Sequence, residues 1–281
     1  MTDSIRIDSV LRSRPKATSW NGQSFSHAEV KLDGRRVLVV RTSSDVAVLA
    51  KRYEDYWRDL RHRPKLSMLL KSLPHGTILD CELWTPGLAA SQVPRALANP
   101  AIRLRITPFA APFVGGDDLR GESIQTARAQ IRSLGFDPPA EVNLPNDREF
   151  ITAEATRQKI EGYVLKVLHW NSYGWWKVKP VRTADLRITG SLPGEGKYDG
   201  LVGSLTCETE DGVVVAQASG MSDADRHAMT AMANVGLLKG QVAEIAFDRI
   251  DAGGRLRFPR FIRWRTDKTA AVTFSELSFS E

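Results

Sequence analysis

The sequence has few cysteines and no long apolar run. Its 281 residues include only Cys81 and Cys207, which lie outside any Cys-x-x-Cys spacing and predict reduced core thiols rather than disulfides or a zinc ribbon. The first twenty residues mix charged and short apolar pieces, so no signal peptide is expected. No segment is apolar over the length that crosses a bilayer. We therefore expect a soluble, cytoplasmic protein without a membrane partner.

The phosphate-binding loop of P-loop enzymes is also absent. No Gly-x-x-x-x-Gly-Lys-Ser/Thr pattern occurs, which argues against a P-loop kinase or ATPase. The glycines at 194, 196 and 200 have the wrong spacing for a dinucleotide fingerprint. They predict a hairpin or a turn that faces DNA.

The composition favours two domains and an anionic partner. The chain is 42% apolar, enough for two ordinary cores, and its net charge of +6 favours association with an anion such as nucleic acid. Alternating strands and amphipathic helices fill residues 1–181, including a strand that begins near Ile102 and a helix at 151–158, and a linker is predicted around Pro180. Five short strands follow, with a helical insert at 222–238 whose Ser222-x-x-Asp225 start predicts an N-cap. We predict an α+β protein, with antiparallel sheets and helices in domain 1–181 and a small OB-fold β-barrel in domain 182–281.

The first candidate for chemistry is Lys31, in the stretch between Glu29 and Arg36. The pattern predicts a strand, a tight turn at Gly34 and a second strand that present one lysine. An unprotonated lysine amine is a nucleophile, and neighbouring cations favour that state. Taken alone, the pattern is more typical of a solvated hairpin lysine.

Further candidates follow in order along the chain. Asp80 and Glu82 lie two residues apart on one face of a strand predicted at 77–84, although a solvated strand face is more typical of this pattern taken alone. Phe109, alone, would be core. Lys177 and Lys179, alone, would be edge-strand charges. A strand near the end of the chain alternates basic and aromatic residues from 257 to 268, which is also typical of a nucleic-acid patch.

Taken together, these segments form a series of motifs. The series comprises Lys31-Leu32-Asp33-Gly34, Asp80-Cys81-Glu82, Phe109, Glu161-Gly162-Tyr163-Val164-Leu165-Lys166, Lys177-Val178-Lys179 and the basic strand that ends at Arg265-Thr266-Asp267-Lys268. In this order and spacing, it resembles the covalent nucleotidyltransferase superfamily and, within it, the ATP-dependent DNA ligases. The resemblance covers residues 14–268, nearly the whole chain.

The resemblance implies a role for each matched residue around the nucleotide. Lys31 resembles the lysine that attacks the α-phosphate of ATP and becomes a phosphoramidate to AMP. Glu29 matches a contact to the adenine edge, partly through its backbone, and Arg36 a contact to the ribose and phosphate. Arg52 matches an arginine that holds the 5′-phosphate of a nick. Phe109 matches the aromatic side chain that stacks on adenine.

The remaining matches concern metal and phosphates. Glu82 resembles the acid near the ribose and metal, and Glu161 the principal metal carboxylate. Lys177 and Lys179 match the pair on the α-phosphate. The basic cluster that orients the leaving pyrophosphate is matched by Arg263, Arg265 and Lys268. The implied cofactors are ATP and Mg²⁺, with Mn²⁺ as an alternative, which agrees with the charge stabilisation that phosphoryl displacement requires.

Features that the sequence lacks narrow the type of ligase that it resembles. The zinc-binding cysteines of an NAD-dependent ligase are missing, and thirty residues before Lys31 leave no room for a separate DNA-encircling domain. We therefore expect a minimal two-domain ligase, similar to those of bacteriophages, that acts as a monomer on nicked double-stranded DNA. A phage-encoded protein would work in the host cytoplasm.

Two other functions fit part of the pattern. An RNA ligase or a GTP-dependent capping-type nucleotidyltransferase shares the lysine motif, but the 161–166 and 257–268 motifs match DNA ligases better. A non-catalytic DNA-binding protein with the same fold is the second alternative. The presence of all the expected site residues argues against it.

Overall fold

The computed structural model describes residues 3–50, 55–170, 174–251 and 253–279. The chain divides into two compact units, Met1–Pro180 and Val181–Glu281. The assignment of a function to each side of residue 181 stays a prediction. Among the described residues, no helix combines the length and apolar character needed to cross a bilayer.

The described helices and strands agree with the predicted α+β class. The α-helices are α1 (Asp3–Ser13), α2 (Trp57–Leu60), α3 (Pro64–Lys71), α4 (Val93–Ala98), α5 (Ile124–Ser133), α6 (Arg148–Arg157), α7 (Asp223–Asn234) and α8 (Phe274–Phe279). The strands of the first unit are β1 (Thr18–Ser19), β2 (His27–Val30), β3 (Gly34–Arg41), β4 (Val46–Leu49), β5 (Thr77–Trp84), β6 (Arg105–Val114), β7 (Asp117–Asp118), β8 (Glu141–Val142), β9 (Tyr163–Lys166) and β10 (Trp175–Val178). Those of the second are β11 (Arg182–Pro193), β12 (Val202–Glu208), β13 (Val214–Ala218), β14 (Val242–Phe247), β15 (Arg249–Ile250), β16 (Leu256–Arg257) and β17 (Arg260–Trp264).

One sheet of the first unit is buried on both faces. Its order is β4-β3-β5-β6-β7, and all its pairs are antiparallel. In the middle of β3, Val37 and Val39 pack with the core that includes α2 and α3, whereas Leu38 and Val40 pack on the other side with Val10 of α1. Since successive strand side chains point to opposite faces, a continuous apolar run was needed here rather than an alternating one.

The other sheet of the first unit brings together distant parts of the chain. Its order is β1-β10-β9-β2-β8, with antiparallel pairs except for a two-residue parallel pairing of β1 with β10. Strand β9 lies between β2 and β10, so that Tyr163 is opposite Val30 on one side and Val178 on the other. Helix α6 closes this core through Ile151 and Ala155.

The second unit has the strand arrangement expected of an OB-like domain. The antiparallel sheet runs β13-β12-β11-β14-β17, and its two edge strands are joined by a parallel bridge between Ser219 and Arg260. The bridge consists of hydrogen bonds from the Ser219 amide to the Pro259 carbonyl, 3.2 Å, and from the Phe261 amide to the Ser219 carbonyl, 2.8 Å. The sheet thus curls back on itself by one bridge rather than by a full ladder. The predicted OB-like fold is confirmed in this form.

Two local predictions in the second unit had different outcomes. The Ser222-x-x-Asp225 start of α7 is a full capping box, in which Ser222 accepts from the Asp225 amide and Asp225 accepts from the Ser222 amide. The basic strand, however, does not extend to Phe258. That residue has a φ of 53° and is 66% exposed, and the strand begins only at Arg260. Phe258 therefore does not join the buried aromatic face with Phe261.

Two boundaries in the first unit also differ from the predicted ones. Helix α6 begins at Arg148 rather than Ile151, because the Asp147 side chain accepts a hydrogen bond from the Phe150 amide and caps the helix earlier. Strand β6 begins at Arg105 rather than near Ile102. In the segment that precedes β6, backbone carbonyls accept hydrogen bonds from the Arg63 side chain, including that of Ile102 at 2.8 Å.

A buried histidine joins strand β6 to the segment that follows β7 in the first unit. His169 is 2% exposed. Its Nε2 accepts the Ala111 amide at 3.0 Å, so Nδ1 carries the proton and donates to the Leu119 carbonyl at 3.0 Å. Burial lowers the pKa of His169 to about 4, although the bond to Leu119 opposes the shift. The ring is therefore neutral, and its role here is structural.

We predict that His169 makes stability depend on pH between about 4 and 6.5. Its pKa is about 4 in the folded protein and 6.5 in the reference state, so the unfolded chain binds the extra proton in this window. The stabilisation is complete above pH 6.5 and is lost as the pH falls towards 4. The free energy of unfolding of wild type minus that of His169→Gln should rise across the window by roughly 3 kcal/mol at most.

Urea unfolding at a series of pH values measures this difference. His62→Gln, at an exposed position of the same unit, is the control and should run parallel to wild type. A wild-type-minus-His169→Gln difference that stays constant from pH 4 to 6.5 would contradict the prediction.

Candidate active site

A cavity of about 270 Å³ lies in the first unit between its two sheets. Several residues singled out from the sequence line it, together with apolar side chains. The lining residues are Ala17, Glu29, Val30, Lys31, Leu32, Gly34, Arg36, Glu82, Phe109, Pro139, Val164 and Trp175. A cavity with an apolar wall and convergent charged groups is the usual form of a site for a small molecule.

Lys31 and Glu161 form the charged centre of the site. The Lys31 Nζ atom lies 2.6 Å from Glu161 Oε2, and Lys179 Nζ lies 2.6 Å from Glu161 Oε1. The Lys31 side chain follows β2 and is 23% exposed. Its backbone amide donates to the Gly162 carbonyl at 2.9 Å, which fixes the segment beside β9. The closest partner of the amine is thus a carboxylate, not the cations that the sequence led us to expect.

Glu82 is the second acid of the cavity. It lies on β5 opposite Arg36 of β3. Burial raises the pKa of the Glu82 carboxyl to about 7; Lys31 opposes this rise and the nearby Glu161 adds to it. A buried acid with a second acid close by forms a place where a cation would be stabilised.

Arg36 is held from behind by a buried acid. Asp80 is fully buried and binds Arg36 through two hydrogen bonds, Nε to Oδ1 at 3.0 Å and Nη2 to Oδ2 at 2.5 Å. Arg14 binds the same carboxylate. Burial alone would raise the pKa of Asp80, but Arg36 and Arg14 bring it below its usual value. Asp80 and Glu82 therefore share a strand face, as predicted, but only Glu82 lines the cavity.

Two aromatic rings form a wall of the cavity. The Phe109 and Trp175 ring centroids are 5.9 Å apart at an interplanar angle of 72°. Beneath them lies Lys166, which is 2% exposed. Its Nζ donates to the Phe109 carbonyl at 3.0 Å and lies 4.1 Å from the Trp175 ring centroid. The Arg36 guanidinium lies 5.3 Å from the Phe109 ring centroid.

Glu29 has its carboxylate in a buried ion-pair cluster. Lys166 Nζ lies 2.5 Å from Glu29 Oε1, and His27 and Arg128 each lie 3.4 Å from Oε2. Burial would raise the pKa of Glu29, but Lys166 and His27 bring it below its usual value. The carboxylate is thus engaged by protein groups. An adenine contact at Glu29, as implied by the resemblance, is left to its backbone.

The remaining predicted residues of the first unit have mixed positions. Lys177 is exposed on β10, and Lys179 follows the end of that strand and reaches Glu161. Neither lines the cavity directly. Arg52 lies outside the described residues. No group of three or more potential metal-ligating side chains occurs within the part of the chain that the structure describes.

The basic motif of the second unit is organised by Asp185 on β11. Arg265 Nη1 donates to both Asp185 oxygens at 2.7 Å, and Lys268 Nζ lies 2.6 Å from Asp185 Oδ2. Arg265 also makes two bonds to Asp267, from Nε at 2.9 Å and from Nη2 at 2.7 Å. Arg263 pairs with Glu244 at 2.7 Å and is 62% exposed.

Comparison with known proteins points to one family. Residues 193–265 match a family described as the DNA ligase OB-like domain. A probable DNA ligase of Nocardioides sp. is 30% identical over 86% of this chain and 55% of its own length. A DNA ligase of Haloarcula marismortui is 28% identical over 86% of this chain and 51% of its own length. The chain thus spans about half the length of these relatives.

Solved structures show the same fold. A structure from a structure-function analysis of Lig E DNA ligases aligns with a TM-score of 0.63 at 18% identity, covering 89% of this chain and 98% of that one. A second, designated Pmar-Lig_Pre, aligns with a TM-score of 0.69 at 18% identity, covering 90% and 67%.

The chain shares its fold with solved DNA ligases, and its second unit contains the OB-like domain of that family. Residues 193–265 match the DNA ligase OB-like domain, the chain is similar in sequence to DNA ligases, and the resemblance found from its motifs is confirmed. The expectation that two domains alone make up the protein stays a prediction.

Sequence reasoning assigned no role to several residues that shape the cavity or support its lining. These are Arg14, Asp80, Lys166 and Trp175. Lys166 and Asp80 belong to the motifs, but the sequence did not show that their side chains are buried. Arg14 gave no signal of its own, since its partner is 66 residues away in the sequence.

Gly34 is required by close packing rather than by the turn that the sequence suggested. It begins β3 and is not among the described glycines with positive φ. A Cβ atom there would lie 2.5 Å from the Leu83 carbonyl oxygen and 2.8 Å from Glu82 Cγ. The absence of a side chain lets β5 approach with Glu82.

We predict that Gly34→Ala pushes β5 away and weakens the site. The clash with a backbone oxygen should lower the free energy of unfolding by about 1–3 kcal/mol. Gly121→Ala is the control, because no atom lies within 4 Å of its Cβ position and its φ is not positive. Denaturant unfolding measures both variants, and equal stabilities would contradict the assigned packing role of Gly34.

Proposed function

We propose that the protein is an ATP-dependent DNA ligase that seals 5′-phosphate/3′-hydroxyl nicks in duplex DNA. The observation that supports this most is the position of Lys31, whose amine lies at the edge of a cavity with an aromatic wall and contacts Glu161 at 2.6 Å. A lysine nucleophile, an aromatic surface for a base and convergent charges are what covalent nucleotidyl transfer requires.

The first step joins Lys31 to AMP. The Nζ lone pair forms a bond to the α-phosphorus of ATP while the bond to the α,β-bridging oxygen breaks, and pyrophosphate leaves with that electron pair. One proton of the amine must depart, and Glu161 is the carboxylate within hydrogen-bond reach of it. Phe109 stacks on adenine, with Trp175 beside it. Glu29 offers its backbone to the base edge.

Arg36, Lys177 and Lys179 balance the charge of the nucleotide. Arg36 lines the cavity and contacts the ribose and α-phosphate in this proposal. The two lysines approach the α-phosphate, with Lys179 already paired to Glu161. Electrostatic stabilisation of this kind is the main demand of phosphoryl displacement. In the second unit, Arg263, Arg265 and Lys268 are assigned to the leaving pyrophosphate.

The next two steps use the DNA. The 5′-phosphate of the nick attacks the α-phosphorus, the nitrogen–phosphorus bond to Lys31 breaks, and AMP moves to the DNA. Arg52 is assigned to hold this phosphate, as the motif implies. The 3′-hydroxyl then attacks the activated 5′-phosphorus, a phosphodiester forms, and AMP leaves.

The acids of the cavity fit an Mg²⁺ ion, or Mn²⁺ in its place. Mg²⁺ is usually bound through one or two carboxylates with water and substrate phosphates, so it needs no larger cluster of protein ligands. Glu82 and Glu161 would hold it, and the pKa of Glu82, which burial raises to about 7 despite Lys31 and Arg36, shows that a further cation there would stabilise the ionised carboxylate. When bound, the ion supplies charge neutralisation at the phosphates.

We predict that Lys31→Ala abolishes a covalent adduct with ATP. Wild-type protein incubated with α-labelled ATP and Mg²⁺ should carry the label through denaturing electrophoresis, because the phosphoramidate is covalent. Lys65→Ala, at an exposed position, is the matched lysine control and should label like wild type. Sealing of a nicked duplex should follow the same pattern.

The rival functions predict different results in that experiment. Labelling by GTP alone would identify a capping-type enzyme, and sealing of only RNA-containing strands would identify an RNA ligase. A wild-type protein that forms no adduct, yet binds DNA, would be a non-catalytic DNA-binding protein.

We also predict that binding to nicked duplex DNA depends steeply on salt and little on sequence. A net charge of +6 and a basic strand favour phosphate contacts, which release counterions. For about six such contacts, affinity should fall roughly 10³-fold between 50 and 200 mM salt. Fluorescence anisotropy with Lys31→Ala protein, which cannot seal, measures this on two unrelated sequences. A flat salt dependence, or a strong preference for one sequence, would contradict the proposal.

A further inference from the structure

Asp80 is a fully buried carboxylate gripped by two arginines. Its Oδ1 accepts from Arg14 Nη2 at 2.5 Å and from Arg36 Nε at 3.0 Å. Its Oδ2 accepts from Arg14 Nε at 2.9 Å and from Arg36 Nη2 at 2.5 Å. Four N–H donors thus occupy one carboxylate, each arginine with two parallel bonds, which is the strongest and most directional form of this interaction.

This grip determines the position of Arg36. Its third nitrogen, Nη1, donates to the Pro15 carbonyl at 2.6 Å, next to Arg14 in the sequence. The guanidinium is therefore fixed in its plane and lies 5.3 Å from the centroid of the Phe109 ring. The remaining N–H groups of Arg36 are those available to the cavity that it lines.

Arg14 reaches the site only through Asp80. Its side chain is 15% exposed, and it is not among the residues that line the cavity. Without Arg14, two lone-pair directions of a buried carboxylate would lose their donors, and Arg36 would be free to rotate towards them. The local charge would also change, because Arg14, Asp80 and Arg36 together carry one positive charge, whereas Asp80 and Arg36 alone carry none.

We infer that Arg14 is a positioning residue that, through Asp80, aligns Arg36 on the ribose of the bound nucleotide. The inference rests on the proposed function, since it assigns to the same cavity a determinant of sugar recognition. The N-terminal segment that ends at Pro15 is thereby part of the nucleotide site, although no side chain of α1 lines the cavity.

The test compares Arg14→Met, Arg14→Lys and wild type in formation of the Lys31 adduct. Single-turnover rates of labelling are measured over a range of concentrations of ATP, 2′-deoxyATP and 3′-deoxyATP, to give for each the limiting rate and the half-saturating concentration. A misplaced charge-assisted hydrogen bond costs about tenfold or more in the ratio of these two quantities. Arg14→Met should lose that factor with ATP and much less with the deoxynucleotide that lacks the contacted hydroxyl.

The lysine variant separates charge from geometry. Arg14→Lys keeps the positive charge but cannot make two parallel bonds, so its ATP preference should fall between those of wild type and Arg14→Met. Arg12→Met is the control, because Arg12 lies near the end of α1, two residues before Arg14, is 82% exposed and pairs only with Asp8 in the described contacts. It should retain the wild-type rates and preference.

Three results would overturn the inference. Arg14→Met could keep the wild-type preference for ATP over both deoxynucleotides, or it could lose activity equally with all three nucleotides while its thermal unfolding shifts downward, which is the signature of a structural role alone. If Arg14→Met does not fold, a wild-type preference in Arg14→Lys has the same consequence.

The wild-type protein distinguishes failure of the inference from failure of the proposed function. If wild type forms no adduct with any nucleotide, the proposed function and the inference are both wrong. If wild type forms the adduct and the Arg14 variants give one of these three results, only the inference is wrong.

Discussion

The register of β9 between β2 and β10 is the constraint on which the site depends. Tyr163 pairs with Val30 on one side and with Val178 on the other. This register brings three side chains together at the ends of these strands. They are Lys31 after β2, Glu161 before β9 and Lys179 after β10. A one-residue slip of a strand would send its side chains to the opposite face.

Gly162 shows how tightly this junction is packed. Its φ is 141°, and a Cβ atom there would lie 2.1 Å from the Val178 carbonyl oxygen. No other residue type fits between β2 and β10 at this point, so the glycine follows Glu161 for a steric reason. The backbone geometry thereby places Glu161 within hydrogen-bond reach of the side chains of both lysines.

Much of the fold followed from local patterns in the sequence. Strand β5 was predicted over its full observed length, and the Ser222 cap was predicted as found, because alternation and capping are local properties. Chemistry could be located only because the motifs resembled those of a family. Composition and periodicity alone favoured a solvated hairpin position for Lys31.

What the sequence could not show is which charges are buried together. Glu29 and Lys166, or Asp80 with Arg14, are far apart in the chain, and nothing in their local sequence distinguishes a buried ion pair from two surface charges. Desolvation is costly for each such group, and the pairing offsets it only when geometry and additional hydrogen bonds are good. These clusters therefore contribute less to net stability than to holding Arg36, Phe109 and Trp175 in fixed orientations.

In the second unit, acidic side chains likewise hold the residues of the basic motif in place. Asp185 and Asp267 occupy Arg265 on two edges, and Asp185 also holds Lys268. These four side chains sum to no net charge, so as they stand they attract a polyanion weakly. Arg263 is more exposed, but it is paired with Glu244. If pyrophosphate is the partner of this motif, its oxygens must compete with the carboxylates already bound there. The Lys268 side chain is 43% exposed, against 15% for Arg265. A pyrophosphate oxygen can therefore reach Lys268 while breaking fewer hydrogen bonds.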